Sequence, residues 1–445
     1  MKEFDKIIGY GGIKKVLIQY ADVLKNTEKY SKLGVVPPNG ILLYGKPGLG
    51  KTMLAKCFIE ATGLKSYIIR KEKSNGDFVN FIKKTYDDAR KEGNVIILLD
   101  DMDKFSNEDA DHSNTEEYVT IQSCIDDSKG CGVFTIATVN QIYVLPDSLM
   151  RRGRFDEIIE IDTPRGEEAE KIIEYFLKSK KVVGDIDVKE LALILEGQSC
   201  AELETIINTA GIYAGYNNRS KIIQEDVIKA WLRSQLETTD LESCGNNISR
   251  IAIHEAGHVV ISEILEPGSV TFATAYKDNY SNEGFTHSKR NKDYAEIKEL
   301  KENDVIISLG GKAATELILG EDDQGCNSDL HRVYRIVSEF VDDTCDNGFN
   351  SFLRRESSQN TRENKDRIVA YEINRYYKTA KQILVHNRDF LEAVEKELVK
   401  KKSITRKDIE RLKETVEMDR KKQAMEEGIS LETDLKWRKA LFPAF

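Results

Sequence analysis

The sequence predicts an α/β domain with a small helical lid, followed by a mostly α-helical second domain. Short apolar runs alternate with helical patterns up to about residue 160, and helical periodicity alone continues to about residue 235. A polar segment then precedes another long helical region. The chain has 445 residues, and one hydrophobic core rarely serves more than about 250–300. We therefore expect two or three domains.

The apolar runs of the first part are short and lack the alternation of a half-exposed strand. Such runs are typical of buried strands in an open parallel sheet, in which the helical segments form right-handed crossovers. The five predicted strands, all expected to be buried, cover residues 40–43, 66–69, 95–99, 133–137 and 158–161.

Apolar stripes at helical spacing predict the lid, with helices over residues 166–178, 188–195, 201–213 and 224–232. The resulting domain prediction has five parts. They are the α/β part at 1–160, the lid at 161–236, a polar linker at 237–249, the second domain at 250–415 and a charged C-terminal tail at 416–445.

The composition excludes several classes of protein. The net charge of −10 offers no basic footprint for nucleic acid. The seven cysteines include no C-x-x-C pair, which favours a reducing compartment. No apolar run approaches the ~20 residues that span a bilayer, and no signal-peptide pattern is present. We expect a soluble, cytoplasmic protein that reaches a membrane only through a partner.

A glycine-rich segment between a predicted strand and a predicted helix matches the phosphate-binding pattern G-x-x-x-x-G-K-[ST]. Its backbone N–H groups can surround phosphates, Lys51 can reach the β- and γ-phosphates, and the Thr52 hydroxyl can bind Mg²⁺. The predicted nucleotide-binding residues are Gly45, Pro47, Gly48, Gly50, Lys51, Thr52, Met53 and Asp100.

Polar residues that follow other predicted strands complete this site. Asp100 and Asp101 end an apolar strand, as expected of a Mg²⁺ anchor beside a base that orients water. Asn140 follows the next strand, where it can contact the attacking water or the γ-phosphate. The arginine cluster at 151–154 suggests arginine fingers offered to a neighbouring subunit.

A second motif, His254-Glu255-Ala256-Gly257-His258, lies in a predicted helix. The i, i+4 spacing places both imidazoles on one helix face, where they can share a zinc ion. Glu255 is placed to take a proton from an attacking water. Spacing alone leaves the third ligand open among His287, Asp322, Asp323, Asp329 and His331, of which Asp329 opens a helical run.

Taken in order, these motifs resemble the FtsH family of AAA+ proteases. The resemblance covers residues 4 to about 412, and it rests on segments in both halves of the chain. These segments are 4–9, 42–52, 137–140, 149–156, 201–204, 254–258, 309–314 and 327–330. The resemblance implies an AAA+ ATPase joined to a zinc metallopeptidase, with Zn²⁺, ATP and Mg²⁺ as cofactors.

The same resemblance assigns several roles that the spacing leaves open. It implies Asp329 as the third zinc ligand, and Arg151 and Arg154 as the arginine fingers. It also implies a homo-hexameric ring that acts on protein or polypeptide substrates.

The sequence departs from the family pattern at four points. We expect the membrane-spanning segments of the family to be absent, since the ATPase pattern begins directly at Phe4. Asp101 replaces the usual glutamate and is one methylene shorter, so we expect weaker water activation. The pore segment falls on residues 74–76 and lacks its aromatic residue, unless Phe78 or Phe81 replaces it. Arg152 stands where a proline is usual.

These departures lead to three hypotheses. The first is a hexameric ATP-dependent zinc metalloprotease with weak unfolding power. The second is an AAA+ scaffold or regulator that uses ATP mainly to hold a ring together, with reduced ATPase activity and little proteolysis. The third is a metallopeptidase that cleaves small or loosely folded polypeptides without ATP.

Overall fold

The computed structural model describes residues 2–71, 77–105, 116–180, 183–236, 248–277, 283–289, 297–321, 325–342 and 359–427. Two compact units divide the chain between residues 231 and 232. This division falls inside a helix, Gln224–Gln235, whereas the sequence predicts the end of the lid at 236. The predicted α/β fold followed by a mostly helical domain is confirmed.

A five-stranded parallel sheet forms the centre of the first unit, with the strand order β2-β3-β4-β1-β5. All five predicted strands are present. They are β1 (Gly40–Tyr44), β2 (Lys65–Ile69), β3 (Val95–Leu99), β4 (Val133–Val139) and β5 (Glu157–Glu160). Because the strands are parallel, the segments that follow β1, β3 and β4 lie at one edge of the sheet.

The prediction that every strand is buried is wrong for β2 and β5. Strands β1 and β3 are almost wholly buried, whereas most residues of β2 are partly or fully exposed and β5 alternates half-buried with exposed residues. The cause is position, since β2 and β5 form the two outer strands of the sheet. A short apolar run does not reveal whether its strand lies at the centre or at the edge.

Helices cover both faces of this sheet. Phe58 packs on Phe134 with ring centroids 5.5 Å apart, while Tyr86 and Tyr118 belong to a core cluster with alternate residues of β3, including Ile97. The helices of this part are α1 (Gly11–Lys25), α2 (Thr27–Ser31), α3 (Lys51–Thr62), α4 (Phe78–Glu92) and α5 (Glu116–Asp127).

Four helices follow β5, as the sequence predicts. They are α6 (Glu167–Lys178), α7 (Val188–Ile194), α8 (Cys200–Tyr216) and α9 (Gln224–Gln235). Helix α8 begins with a capping box. Its N-cap Ser199 accepts a bond from the Glu202 N–H, and the Glu202 carboxylate accepts one from the Ser199 N–H. This cap sets where α8 begins.

The second unit is built around α10 (Ile248–Leu265), which is buried from Ile251 to Glu263. A helix that is apolar on nearly all sides belongs inside a core rather than on its surface. Accordingly, α10 packs against several other helices of this unit. The helices that follow α10 are α11 (Lys298–Ser308), α12 (Gly310–Leu319), α13 (Asn327–Asp342), α14 (Gln359–His386), α15 (Arg388–Lys401) and α16 (Arg406–Glu427), and α11, α12, α14 and α15 pack on it.

A small antiparallel sheet also packs on α10, and the sequence does not predict it. Its strands are β6 (Val270–Lys277), β7 (Glu283–Ser288) and β8 (Ser403–Thr405), in the order β7-β6-β8. Strand β8 has only three residues and pairs with a strand far away in sequence, so local periodicity cannot reveal it. The predicted boundary at 415–416 falls within α16, which continues to Glu427.

None of the helices in the described ranges combines the length and the apolar composition that a membrane-spanning segment needs.

Candidate nucleotide site and candidate metal centre

The glycine-rich loop joins β1 to α3 and curves around its own lysine. Gly45, Gly48 and Gly50 all have positive φ angles, of 145°, 78° and 86°, which side chains with a Cβ rarely adopt. The Lys51 ammonium donates to the carbonyls of Gly45 and Lys46 at 2.7 Å each. Burial lowers the pKa of Lys51, and the nearby acidic residues oppose that shift. The loop therefore encloses a cation beside its glycine-rich backbone, as a phosphate site requires.

The lid helix α8 begins directly against this loop. The Ala201 N–H donates to the Gly48 carbonyl at 3.1 Å. A Cβ on Gly48 would lie only 2.8 Å from the Ala201 Cβ and 2.9 Å from the Ser199 hydroxyl. Since both the φ angle and the space exclude a side chain, glycine is required at this contact. The other two predicted residues, Pro47 and Met53, are exposed.

Asp100 lies at the end of β3 and is only 2% exposed. One carboxylate oxygen accepts bonds from the Thr52 hydroxyl at 2.8 Å and the Thr138 hydroxyl at 2.9 Å. The other oxygen pairs with the Arg70 guanidinium. The two predicted Mg²⁺ ligands, Thr52 and Asp100, are therefore already in contact. Buried charge is tolerated there because every contact is a hydrogen bond or an ion pair.

Asp101 adopts a left-handed backbone conformation, with φ 58° and ψ 57°. Its N–H donates to the Thr138 hydroxyl at 2.9 Å, and its carboxylate pairs with Lys104 at 2.8 Å. Asn140 lies on the neighbouring strand end, where its N–H and side-chain amide both donate to Asp103, at 3.0 and 2.8 Å. The structure thus brings the predicted water-orienting residues to the same edge of the sheet as the loop.

The arginines of the 151–154 cluster differ in their surroundings. Arg154 is held within its own chain, because its guanidinium binds Asp126 and the Ser148 carbonyl. Hydrogen bonding to Arg154 lowers the pKa of Asp126 to about 2. Arg151 and Arg152 are exposed. Of the two predicted fingers, Arg151 is therefore exposed and Arg154 is held by contacts within the chain.

In the second unit, His254, His258 and Asp329 form a compact triangle. The Asp329 carboxylate lies 3.2 Å from His254 Nε2 and 3.3 Å from His258 Nε2, and the two nitrogens are 3.0 Å apart. Ligands of a tetrahedral zinc with bonds of about 2.0–2.1 Å lie about 3.3 Å from each other. The triangle therefore has the size of a zinc site.

The hydrogen bonds around the triangle also suit a metal. His258 Nδ1 donates to the Ile307 carbonyl at 2.7 Å, so in the neutral imidazole the Nε2 lone pair faces His254 and Asp329. Burial opposes the charge on Asp329, but the two histidines hold its pKa well below the ordinary value, so the carboxylate is ionised. The donor set of two imidazoles and one carboxylate fits zinc.

The structure distinguishes among the candidate third ligands that the sequence left open. Asp329, in the first turn of α13, is the acid that completes the only cluster of three potential metal ligands among the described residues. His287 instead contacts the Thr271 hydroxyl at 2.8 Å, and His331 is exposed. Asp322 and Asp323 lie outside the described residues.

Glu255 lies beside this triangle and is 3% exposed. Its carboxylate accepts a hydrogen bond from the Thr286 hydroxyl on β7 at 2.7 Å. Burial raises the pKa of Glu255, while the charges of His258 and His254 oppose that rise. A buried carboxylate held by one hydroxyl keeps its second oxygen available for proton transfer.

The two glycines at the start of α12 permit the histidine helix to come very close. A Cβ on Gly310 would lie 2.8 Å from the Gly257 carbonyl oxygen, and one on Gly311 would lie 2.3 Å from His254 Nε2. Backbone therefore packs directly on backbone and on the imidazole ring. The position of His254 depends on the absence of a side chain at residue 311.

Three of these groups were not predicted as site residues. Arg70 follows β2 and lies at the same sheet edge as Asp100. The position of β2 beside β3 would have predicted this contact, but the sequence does not give the strand order. Thr286 lies on β7, whose sequence EGFTHS contains one large apolar residue and whose pairing with β6 is irregular, so no strand pattern is visible there. Gly311 belongs to a segment that the resemblance identifies, but only the packing shows that it contacts His254.

Comparison with known proteins gives a match to each half of the chain. Residues 41–163 match the ATPase family associated with various cellular activities (AAA), and residues 245–412 match peptidase family M41. An ATP-dependent zinc metalloprotease FtsH 2 of Thermoanaerobacter is 29% identical, over 92% of this chain and 82% of its own length. The corresponding proteins named FtsH from Helicobacter pylori and Bacillus subtilis are 29% and 27% identical, over 90% and 92% of this chain and 69% of their own lengths.

Replacing Gly311 with alanine should displace His254 and weaken zinc binding. The added methyl would lie 2.3 Å from the ring nitrogen, and disturbed orientation of a ligand costs on the order of tenfold or more in metal affinity. Competition with a chromogenic chelator measures this affinity. Gly215→Ala is the matched control, because a Cβ there meets no atom within 4 Å. Equal zinc affinity in Gly311→Ala and the wild type would contradict the packing argument.

Proposed function

We infer that the chain belongs to the FtsH family of AAA+ zinc metalloproteases, and we propose that it hydrolyses peptide bonds in polypeptide substrates with energy from ATP. The observation that carries this proposal is the triangle of His254, His258 and Asp329 with buried Glu255 beside it. Metal ligands and a general base are the minimum set for zinc-dependent peptide hydrolysis.

In the peptidase half, each side chain of the site has a separate role. A zinc ion held by the triangle would polarise the scissile carbonyl and lower the pKa of water. Glu255 accepts a proton from the attacking water and later gives it to the leaving amine. Thr286 orients the Glu255 carboxylate through its hydroxyl. The Ile307 carbonyl holds His258 in the tautomer that binds metal.

In the ATPase half, Lys51 and the loop N–H groups hold the phosphates, and Thr52 with Asp100 holds Mg²⁺. Asp101 and Asn140 orient the attacking water. Support comes from their position at one sheet edge, where the Asp101 N–H and the Asp100 carboxylate share the Thr138 hydroxyl.

The proposed assembly is a homo-hexameric ring in the cytoplasm. Arg151 is exposed and would complete the nucleotide site of a neighbouring subunit, whereas Arg154 would support the cluster from within through Asp126. Unfolding power is proposed to be weak. The segment at 74–76 lies outside the described residues, and of the two possible replacement aromatics Phe78 is buried while Phe81 is 46% exposed.

A second candidate function is an AAA+ scaffold with slow ATP hydrolysis. The Asp101 side chain favours it, because the short carboxylate is paired with Lys104 at 2.8 Å and would have to exchange that partner for water. In this case, nucleotide would stabilise the ring and proteolysis would be slight.

Glu255→Gln should abolish peptidase activity and retain zinc, because the amide keeps the shape but cannot accept a proton. We expect cleavage of an unfolded casein substrate to fall by at least about 100-fold, while metal analysis still finds about one zinc per chain. Glu299→Gln changes an exposed glutamate of the same unit and is the control. Equal cleavage by Glu255→Gln and the wild type would refute the peptidase proposal.

Arg151→Ala should lower the ATPase rate by at least about tenfold, because an arginine finger stabilises charge on the transferred phosphate. The control is Arg152→Ala, which removes the adjacent exposed arginine. Mixing Arg151→Ala with Lys51→Ala chains should restore part of the rate, since some sites then combine an intact lysine with a neighbour's intact arginine. If mixing restores nothing, Arg151 does not act across subunits.

Asp101→Glu separates the two candidate functions. If the short side chain limits water activation, the added methylene should raise the steady-state ATPase rate, and Asp101→Asn should lower it. A fall of about tenfold in Asp101→Glu would instead show that the site is adapted to aspartate. Steady-state phosphate release measures both variants.

A further inference from the structure

Arg70 and Asp100 face each other across adjacent parallel strands. Ile69 pairs with Leu99 in the β2–β3 register, and the Asp100 N–H donates to the Ile69 carbonyl at 3.0 Å. The next residue of β2's chain is Arg70, whose guanidinium binds the Asp100 carboxylate. The register of the two strands therefore places Arg70 beside Asp100.

The two partners differ strongly in exposure. The Arg70 side chain is 49% exposed, and that of Asp100 is 2% exposed. The carboxylate is held from the other side by Thr52 and Thr138. A long, half-exposed arginine can move into solvent, whereas the aspartate is buried and held by two hydroxyl groups. Arg70 is thus the exchangeable member of the pair.

We propose that Arg70 is a positioning residue that occupies the Mg²⁺ anchor and must be displaced before magnesium binds there. This inference rests on the proposed nucleotide site. One carboxylate oxygen faces Thr52, and the other carries the guanidinium. Because like charges repel strongly in a partly buried site, Mg²⁺ and Arg70 compete for Asp100.

The other cations of the site have partners other than Asp100. Lys104 is paired with Asp101, and the Lys51 ammonium lies against the Gly45 and Lys46 carbonyls. The cation that neutralises Asp100 directly is therefore Arg70. Without it, a triphosphate that arrives free of metal would meet an uncompensated buried carboxylate.

Removing the guanidinium should strengthen the dependence of nucleotide binding on Mg²⁺ in two ways. The Mg²⁺ concentration that half-saturates nucleotide binding should fall by about three- to tenfold, as expected from the loss of a partly exposed ion pair. Affinity for nucleotide without metal should fall as well, because Asp100 then repels the phosphates. A residue with only a structural role would not produce both changes.

The test uses the full chain and the non-hydrolysable analogue adenylyl imidodiphosphate. Calorimetry gives its affinity at a series of free Mg²⁺ concentrations, starting from excess chelator. The variants are Arg70→Met, which keeps bulk without charge, and Arg70→Lys, which keeps charge without the planar fork. Arg219→Met is the matched control, because Arg219 pairs with the buried Asp226 in the lid, with exposures of 33% and 2%.

The inference is supported if Arg70→Met needs less Mg²⁺, Arg70→Lys shifts in the same direction by a smaller factor, and Arg219→Met matches the wild type. It is overturned if both Arg70 variants need as much Mg²⁺ as the wild type or more. If Arg70→Met does not fold, Arg70→Lys is the deciding variant. An unchanged Mg²⁺ requirement in Arg70→Lys would then contradict the inference. A wild type that binds no analogue at any Mg²⁺ concentration would instead refute the nucleotide site itself.

Discussion

The close crossing of α10 and α12 is the contact on which the second unit depends. Gly257 and Gly310 allow the two backbones to touch, and Gly311 leaves room for the His254 ring. This crossing, together with the start of α13, brings the Asp329 carboxylate within 3.2 Å of that ring. A methyl group at residue 257, 310 or 311 would force the helices apart or turn the histidine. The geometry of the triangle therefore follows from backbone packing as much as from the ligands themselves.

Both sites contain a carboxylate that must stay charged before a metal binds, and they stabilise that charge differently. Asp100 is buried, and Asp329 is half-buried. Asp329 lies among imidazoles that can give up their protons to become ligands, so the same groups serve with and without zinc. Asp100 is instead compensated by Arg70, which cannot lose its proton and has to move. We therefore expect binding of metal to be linked to side-chain movement in the first unit more than in the second.

The sequence predicts those features that depend on local pattern. All five parallel strands and the histidine helix lie where their apolar runs and spacing place them. The sequence does not predict features that depend on residues far apart in the chain. Strand β8 pairs with β6 across more than a hundred residues. The exposure of β2 depends on its position at the edge of the sheet. Asp329 was one of five open choices from spacing, because only tertiary packing brings α13 beside α10. Arg70 and Thr286 went unrecognised for the same reason.

The most direct test of this account is X-ray absorption at the zinc edge on the purified full chain. Ligation by His254, His258 and Asp329 predicts a first shell of nitrogen and oxygen alone, at about 2.0–2.2 Å, with the multiple scattering of two imidazoles. In Asp329→Asn the zinc should be weakly held or lost. Sulfur scattering at about 2.3 Å, or a spectrum unchanged in Asp329→Asn, would show that the metal is bound elsewhere and would contradict the account.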